Sequence, residues 1–227
     1  MKQVIVILAT LGLVFAAPSI DLQNDFDINQ LEQNGTYPYH PTIGGRIVGG
    51  VVASIQDLPW QVALLRNGAQ ICGGIIIAPQ IVLTAAHCVV PSVISAVSQL
   101  NIRSGSNLHN SGGLRIAVSR ITTHAQYRDC LTCAPDYDIA VLTLSSSAIA
   151  SGVPAAAIGL WDGTTTFSAG ITGTVSGWGT TSENGASSLQ LRRVDVPIVS
   201  EASCRSVYGS IISSRTICAG FAAGGRE

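Results

Sequence analysis

From Ile47 onward the chain is built from short β-branched runs punctuated by Gly, Ser and Asn, and this texture limits the fold more than any other feature. The runs Gln61–Arg66, Gln70–Ile77, Ile81–Ala85, Leu114–Ile121, Ile139–Leu144 and Ile171–Ser176 have strand length and strand composition. Asn67-Gly68, between the first two, is the dipeptide of a tight hairpin turn. No helical period alternates with these runs, so an all-β sandwich or barrel is expected rather than βαβ units. With 227 residues, 47% of them apolar, the chain can bury a substantial core as one domain or two packed subdomains. The Ser/Ala/Gly-rich stretch from Ser145 to Gly159 suits a crossing between two such halves.

The first 46 residues differ in kind. Met1-Lys2, an apolar run from Val4 to Phe15 and the small residues after it form a secretory signal, with cleavage expected after Ala16. The run is too short for a bilayer, which takes about 20 apolar residues. Residues 17–46 are polar and proline-bearing, with Asp21, Asp25, Asp27 and Glu32 among Gln and Asn. They read as a leader ending at Arg46, next to Ile47-Val48-Gly49-Gly50, and cleavage at that bond would make them an activation peptide. Six cysteines fit an oxidising compartment, so a secreted, extracellular protein is expected. The net charge is −1 and only Arg192-Arg193 are adjacent basic residues, which argues against a nucleic-acid partner.

Two segments carry chemistry. Thr84-Ala85-Ala86-His87-Cys88 places a histidine just past an apolar run, with a neighbouring cysteine to fix it. A free imidazole titrates at about pH 6.5, so such a residue can both take and return a proton. Asp136-Tyr137-Asp138-Ile139-Ala140-Val141-Leu142 places an acid at the mouth of a strand, where it can orient an imidazole. Asp136 competes for this role, and Asp138 is preferred because it abuts the apolar run.

Together the segments resemble the chymotrypsin/trypsin family of serine proteases. The resemblance rests on Arg46 with Ile47-Val48-Gly49-Gly50, Leu58-Pro59-Trp60-Gln61-Val62, Cys72-Gly73-Gly74 and Thr84–Cys88. It continues through Asp138–Leu142, Ser176-Gly177-Trp178-Gly179 and Ile217-Cys218-Ala219-Gly220. Each motif is weak alone, but seven in family order from Arg46 onward are specific. The resemblance implies two six-stranded antiparallel Greek-key β-barrels, with the active site between them. The first would span about residues 47–150 and a partial second about 160–227. It also implies that His87 is general base and then acid, and that Asp138 orients it. Cleavage between Arg46 and Ile47 would activate the precursor by freeing an ammonium group to pair with a buried aspartate. A serine endopeptidase acting on protein or peptide substrates follows, as a monomer answering to protease inhibitors and an activating protease. No cofactor, metal or membrane partner is expected.

The match departs from the family at its end. The family pattern runs on into Gly-Asp-Ser-Gly-Gly-Pro, whereas this sequence reads Phe221-Ala222-Ala223-Gly224-Gly225-Arg226-Glu227. Residues 47–227 are therefore read as a peptidase domain cut before its nucleophilic serine, and the chain as given is expected to be inactive. Glu227 falls where the trypsin-like branch carries the acid of its primary pocket, which points to cleavage after Arg or Lys. The resemblance pairs Cys72 with Cys88 and Cys204 with Cys218. Cys130 and Cys133 lie outside the family pattern, and a local bridge between them is expected over a metal site, for which no further ligands are at hand. The alternative function is a secreted, non-catalytic protease homologue that binds proteins. Retention of both His87 and Asp138 argues against it.

Overall fold

The computed structural model describes residues 50–129, 136–160, 167–181, 186–209 and 212–220. Ten strands are present among them: β1 (Val51–Val52), β2 (Gln61–Arg66), β3 (Ala69–Ala78), β4 (Ile81–Thr84) and β5 (Leu100–Ser104). They continue with β6 (Leu114–Thr123), β7 (Ala140–Leu144), β8 (Thr172–Gly177), β9 (Arg192–Val199) and β10 (Cys218–Ala219). One α-helix, α1 (Glu201–Tyr208), precedes β10.

Six strands close a barrel in the order β2-β3-β4-β7-β6-β5, every pairing antiparallel. Closure removes the edges that an open sheet would expose. The β2–β3 turn has positive φ at both Asn67 (51°) and Gly68 (89°), the backbone of a type I′ turn, whose twist matches the strands it joins. Inside the barrel, Val62, Leu64, Ile76, Val82, Leu100, Ile102, Val118, Leu142 and Leu144 form one apolar cluster. β2 is buried on both faces. Val62 and Leu64 point into the barrel, while Ala63 and Leu65 pack with Ala53, Ile55, Leu58, Trp178 and Leu191. That second cluster is the seam between the two halves.

The second half is a sheet in which β9 pairs with β8, β10 and β1. The division is not a clean cut along the chain, because Val51–Val52 pair with Arg192 and Arg193 rather than with the first barrel. Val175, Val194 and Val196 cover one face. α1 starts at Ser200, whose hydroxyl accepts from the Ser203 N–H at 3.1 Å. A disulfide joins Cys204 of α1 to Cys218 of β10, which pairs with β9, and so ties the helix to the sheet.

Polar groups cross the seam as well. Ser176 of β8 donates to Gln61 Oε1 at 2.7 Å, and Gln61 Nε2 donates to the Gly74 carbonyl at 3.3 Å, all of it buried. Asn107 accepts from Trp178 Nε1 (2.9 Å) and the Leu191 N–H (2.7 Å) at its carbonyl, and from the Ile55 N–H (2.6 Å) at its side chain. Buried polar groups in one network are costly to break singly, so these bonds fix how the halves meet.

Candidate active site

Two antiparallel neighbours of the barrel deliver the site. Thr84, the last residue of β4, lies opposite Ala140, the first of β7. The chain leaving β4 and the chain entering β7 therefore emerge at the same rim. Three residues past Thr84 is His87, and two residues before Ala140 is Asp138. Thr84 is itself locked by a hydrogen bond from its hydroxyl to the Gly73 carbonyl of β3, 2.8 Å long.

His87 sits in a single 3-10 turn, Ala86–Cys88, between buried Ala86 and Cys88. Cys88 is bonded to Cys72 of β3, so the turn cannot drift from the barrel wall. Asp138 is buried at 8% exposure and gives both carboxylate oxygens to His87. Oδ1 accepts from the His87 backbone N–H at 2.9 Å, and Oδ2 contacts Nδ1 at 2.7 Å. An ionised carboxylate only accepts, so the Nδ1 proton belongs to the histidine. That tautomer leaves Nε2 as the lone-pair nitrogen, able to take a proton from a hydroxyl. The imidazolium so formed would be stabilised by the adjacent carboxylate.

Asp136, the competing acid, goes elsewhere. It accepts from Arg215 Nε at 2.8 Å, from Arg215 Nη2 and from the Ser213 hydroxyl at 3.2 Å. The Arg215 hydrogen bonds are the main reason its carboxyl is held below the usual range, against an opposing effect of burial. Ser213 thus reaches 77 residues along the sequence with its hydroxyl, which also accepts locally from the Arg215 N–H at 3.1 Å. Tyr137, between the two acids, has a positive φ of 54°, stacks on His124 (centroids 4.7 Å apart) and lies under the Arg215 guanidinium, 4.3 Å from its ring centroid. A non-glycine residue held there costs roughly 1–2 kcal/mol and persists where its surroundings enforce it.

Of the residues singled out from sequence, His87 and Asp138 come together, and the disulfides Cys72–Cys88 and Cys204–Cys218 are both formed. Arg46, Ile47, Glu227, Cys130 and Cys133 lie outside the described residues. The Sγ atoms of Cys72 and Cys88 lie within 4.8 Å of a His87 ring nitrogen, but both are engaged in the disulfide and offer no thiolate to a metal. The roles of Gln61, Asn107 and Arg215 were not legible in the sequence. Their partners are remote in the chain, and no local pattern announces them.

A family model described as Trypsin matches residues 47–227. The chain is 43% identical to "Trypsin alpha-4" of Lucilia cuprina over 184 residues, which is 79% of this chain and 68% of that protein. It is 42% identical to "Hypodermin-B" of Hypoderma lineatum over 183 residues, again 79% and 68% of the two chains. With "Trypsin beta" of Drosophila erecta the identity is 40% over 202 residues, 82% of this chain and 71% of that one. Among solved structures, neuropsin, described as a serine protease expressed in the limbic system of mouse brain, superposes with a TM-score of 0.69. The identity is 27%, over 78% of this chain and 75% of that one.

Proposed function

This chain belongs to the trypsin family of serine proteases, and from that premise we propose a secreted endopeptidase, made as an inert precursor and activated by cleavage after Arg46. His87 takes the proton of a serine hydroxyl as it attacks the peptide carbonyl, then returns it to the departing amine. Asp138 holds the ring in the required tautomer and stabilises its charged form. Ile47, once freed, supplies an ammonium group that turns inward and orders the substrate pocket. Glu227 is the acid that meets a substrate Arg or Lys.

The observation that carries this reading is the double engagement of His87 by Asp138, ring and backbone together, at 2.7 and 2.9 Å. A protein-binding homologue has no chemical use for a buried acid aimed at an imidazole.

The test uses the protein expressed from its natural reading frame and treated with a protease that cuts after Arg. Turnover of peptide amides ending in Arg or Lys is expected, with little for Phe. His87→Ala should abolish it, and Arg46→Gln should leave a precursor that does not activate. Undiminished turnover by His87→Ala would remove the basis of the assignment.

A further inference from the structure

Asp138 is presented by a segment with few internal supports of its own. Within residues 136–139 the backbone bonds are short-range: the Tyr137 N–H donates to Asp136 Oδ1 at 3.0 Å, and the Ile139 N–H to the Tyr137 carbonyl at 2.7 Å. Tyr137 carries a positive φ, a conformation that its surroundings must impose. From the first barrel the segment is met by His124, whose N–H donates to the Ile139 carbonyl at 3.0 Å and whose ring stacks on Tyr137. From the second half it is met by Arg215, through both oxygens of Asp136 and the face of Tyr137.

We propose that Arg215 is a positioning residue for the His87–Asp138 pair, a step that rests on reading that pair as the proton-transfer machinery. Its planar fork grips the Asp136 carboxylate bidentately and caps the Tyr137 ring, so that residues 136 and 137 are both fixed. Asp138, the next residue, then has its two oxygens aimed at the two N–H groups of His87. Arg215 lies 79 residues from Asp136 in sequence and on the segment tied by Cys218 to the second half. The alignment of the pair therefore depends on the docking of that half. Bidentate geometry and ring stacking together require arginine, since a lysine ammonium supplies a point charge without the fork.

The experiment compares parent, Arg215→Gln, Arg215→Lys and Asp136→Asn in the activated protein from the natural reading frame, with working sites counted by burst titration. The expected result for Arg215→Gln is a fall of about tenfold in kcat per titrated site with KM within about twofold, as a small misplacement of a catalytic group produces. Arg215→Lys should fall between Gln and parent, and Asp136→Asn should match Arg215→Gln. The low-field proton resonance of the His87 Nδ1–H reports the same alignment without turnover, and should move or broaden in Arg215→Gln. Unchanged kcat per site together with an unchanged resonance, whatever happens to the melting temperature, would reduce Arg215 to a surface brace and overturn the proposal. Should the parent itself cleave no peptide, the peptidase reading fails, and the resonance still decides whether Arg215 positions the pair.

Discussion

A single side chain decides which nitrogen of His87 can act. Asp138 imposes the Nδ1–H tautomer because its carboxylate accepts at both oxygens. Asp138→Asn keeps the shape and nearly the size, yet puts an NH2 group within reach of Nδ1 and favours the opposite tautomer. In the activated protein, kcat for a peptide amide is expected to drop by about 10⁴, the scale known for this change in proteases of this mechanism. A loss below tenfold would mean that Asp138 does not orient the ring. At this scale the sequence was informative on one point and silent on another. Asp138 was separable from Asp136 because it leads into Ile139-Ala140-Val141-Leu142. The partner of Asp136 was not, since nothing near Arg215 marks it as the cation that Asp136 meets.

At the scale of elements, β3 shows how tightly the barrel wall is drawn. A Cβ added at Gly74 would stand 2.8 Å from Val82 Cγ1, and 3.0 Å from both the Leu83 carbonyl oxygen and Val62 Cγ2. Those atoms belong to strands paired on either side, so relief requires moving backbone. Gly74→Ala is expected to destabilise by about 1–3 kcal/mol, read as a lowered midpoint in chemical unfolding; an unchanged midpoint would show the wall to be looser than these distances say. The strands read from β-branched runs coincide with β2, β3, β4, β6, β7 and β8 to within about two residues at each end. β5 and β9 escaped. In Leu100–Ser104 only Leu100 and Ile102 are apolar, and in Arg192–Val199 two arginines, Asp195 and Pro197 dilute the pattern. Both strands alternate correctly once their neighbours are known, with Leu100, Ile102, Val194 and Val196 inward.

Over the whole molecule, the two halves are joined by the Trp178 cluster, the Gln61–Ser176 and Asn107 bonds, and the Asp136–Arg215 clamp. Only the clamp titrates in the acid range. The carboxyl of Asp136 is held below its ordinary value, chiefly by the Arg215 hydrogen bonds, so the folded state prefers the ionised form. That preference stabilises the fold above the unfolded aspartate value, about 3.9, and fades as the pH falls through the lower folded value. Thermal melts of parent and Asp136→Asn should therefore differ near pH 6, and the gap should begin to narrow near the unfolded value and close only below the lower folded one. A gap of constant width across that range would show that the clamp contributes through shape alone.

What the linear chain determined was local and periodic: strand-length runs, a hairpin turn at Asn67-Gly68, and an imidazole and a carboxylate each stationed at the end of an apolar run. These follow from short-range sterics and hydrophobic alternation, which neighbouring residues decide among themselves. Only the tertiary structure decided that β4 and β7 lie side by side, that the chain near Val51 joins the later sheet, and that Arg215 reaches Asp136. Those outcomes depend on barrel closure and on pairings between residues far apart in sequence, where the energy resides in surfaces that do not exist until the chain has folded.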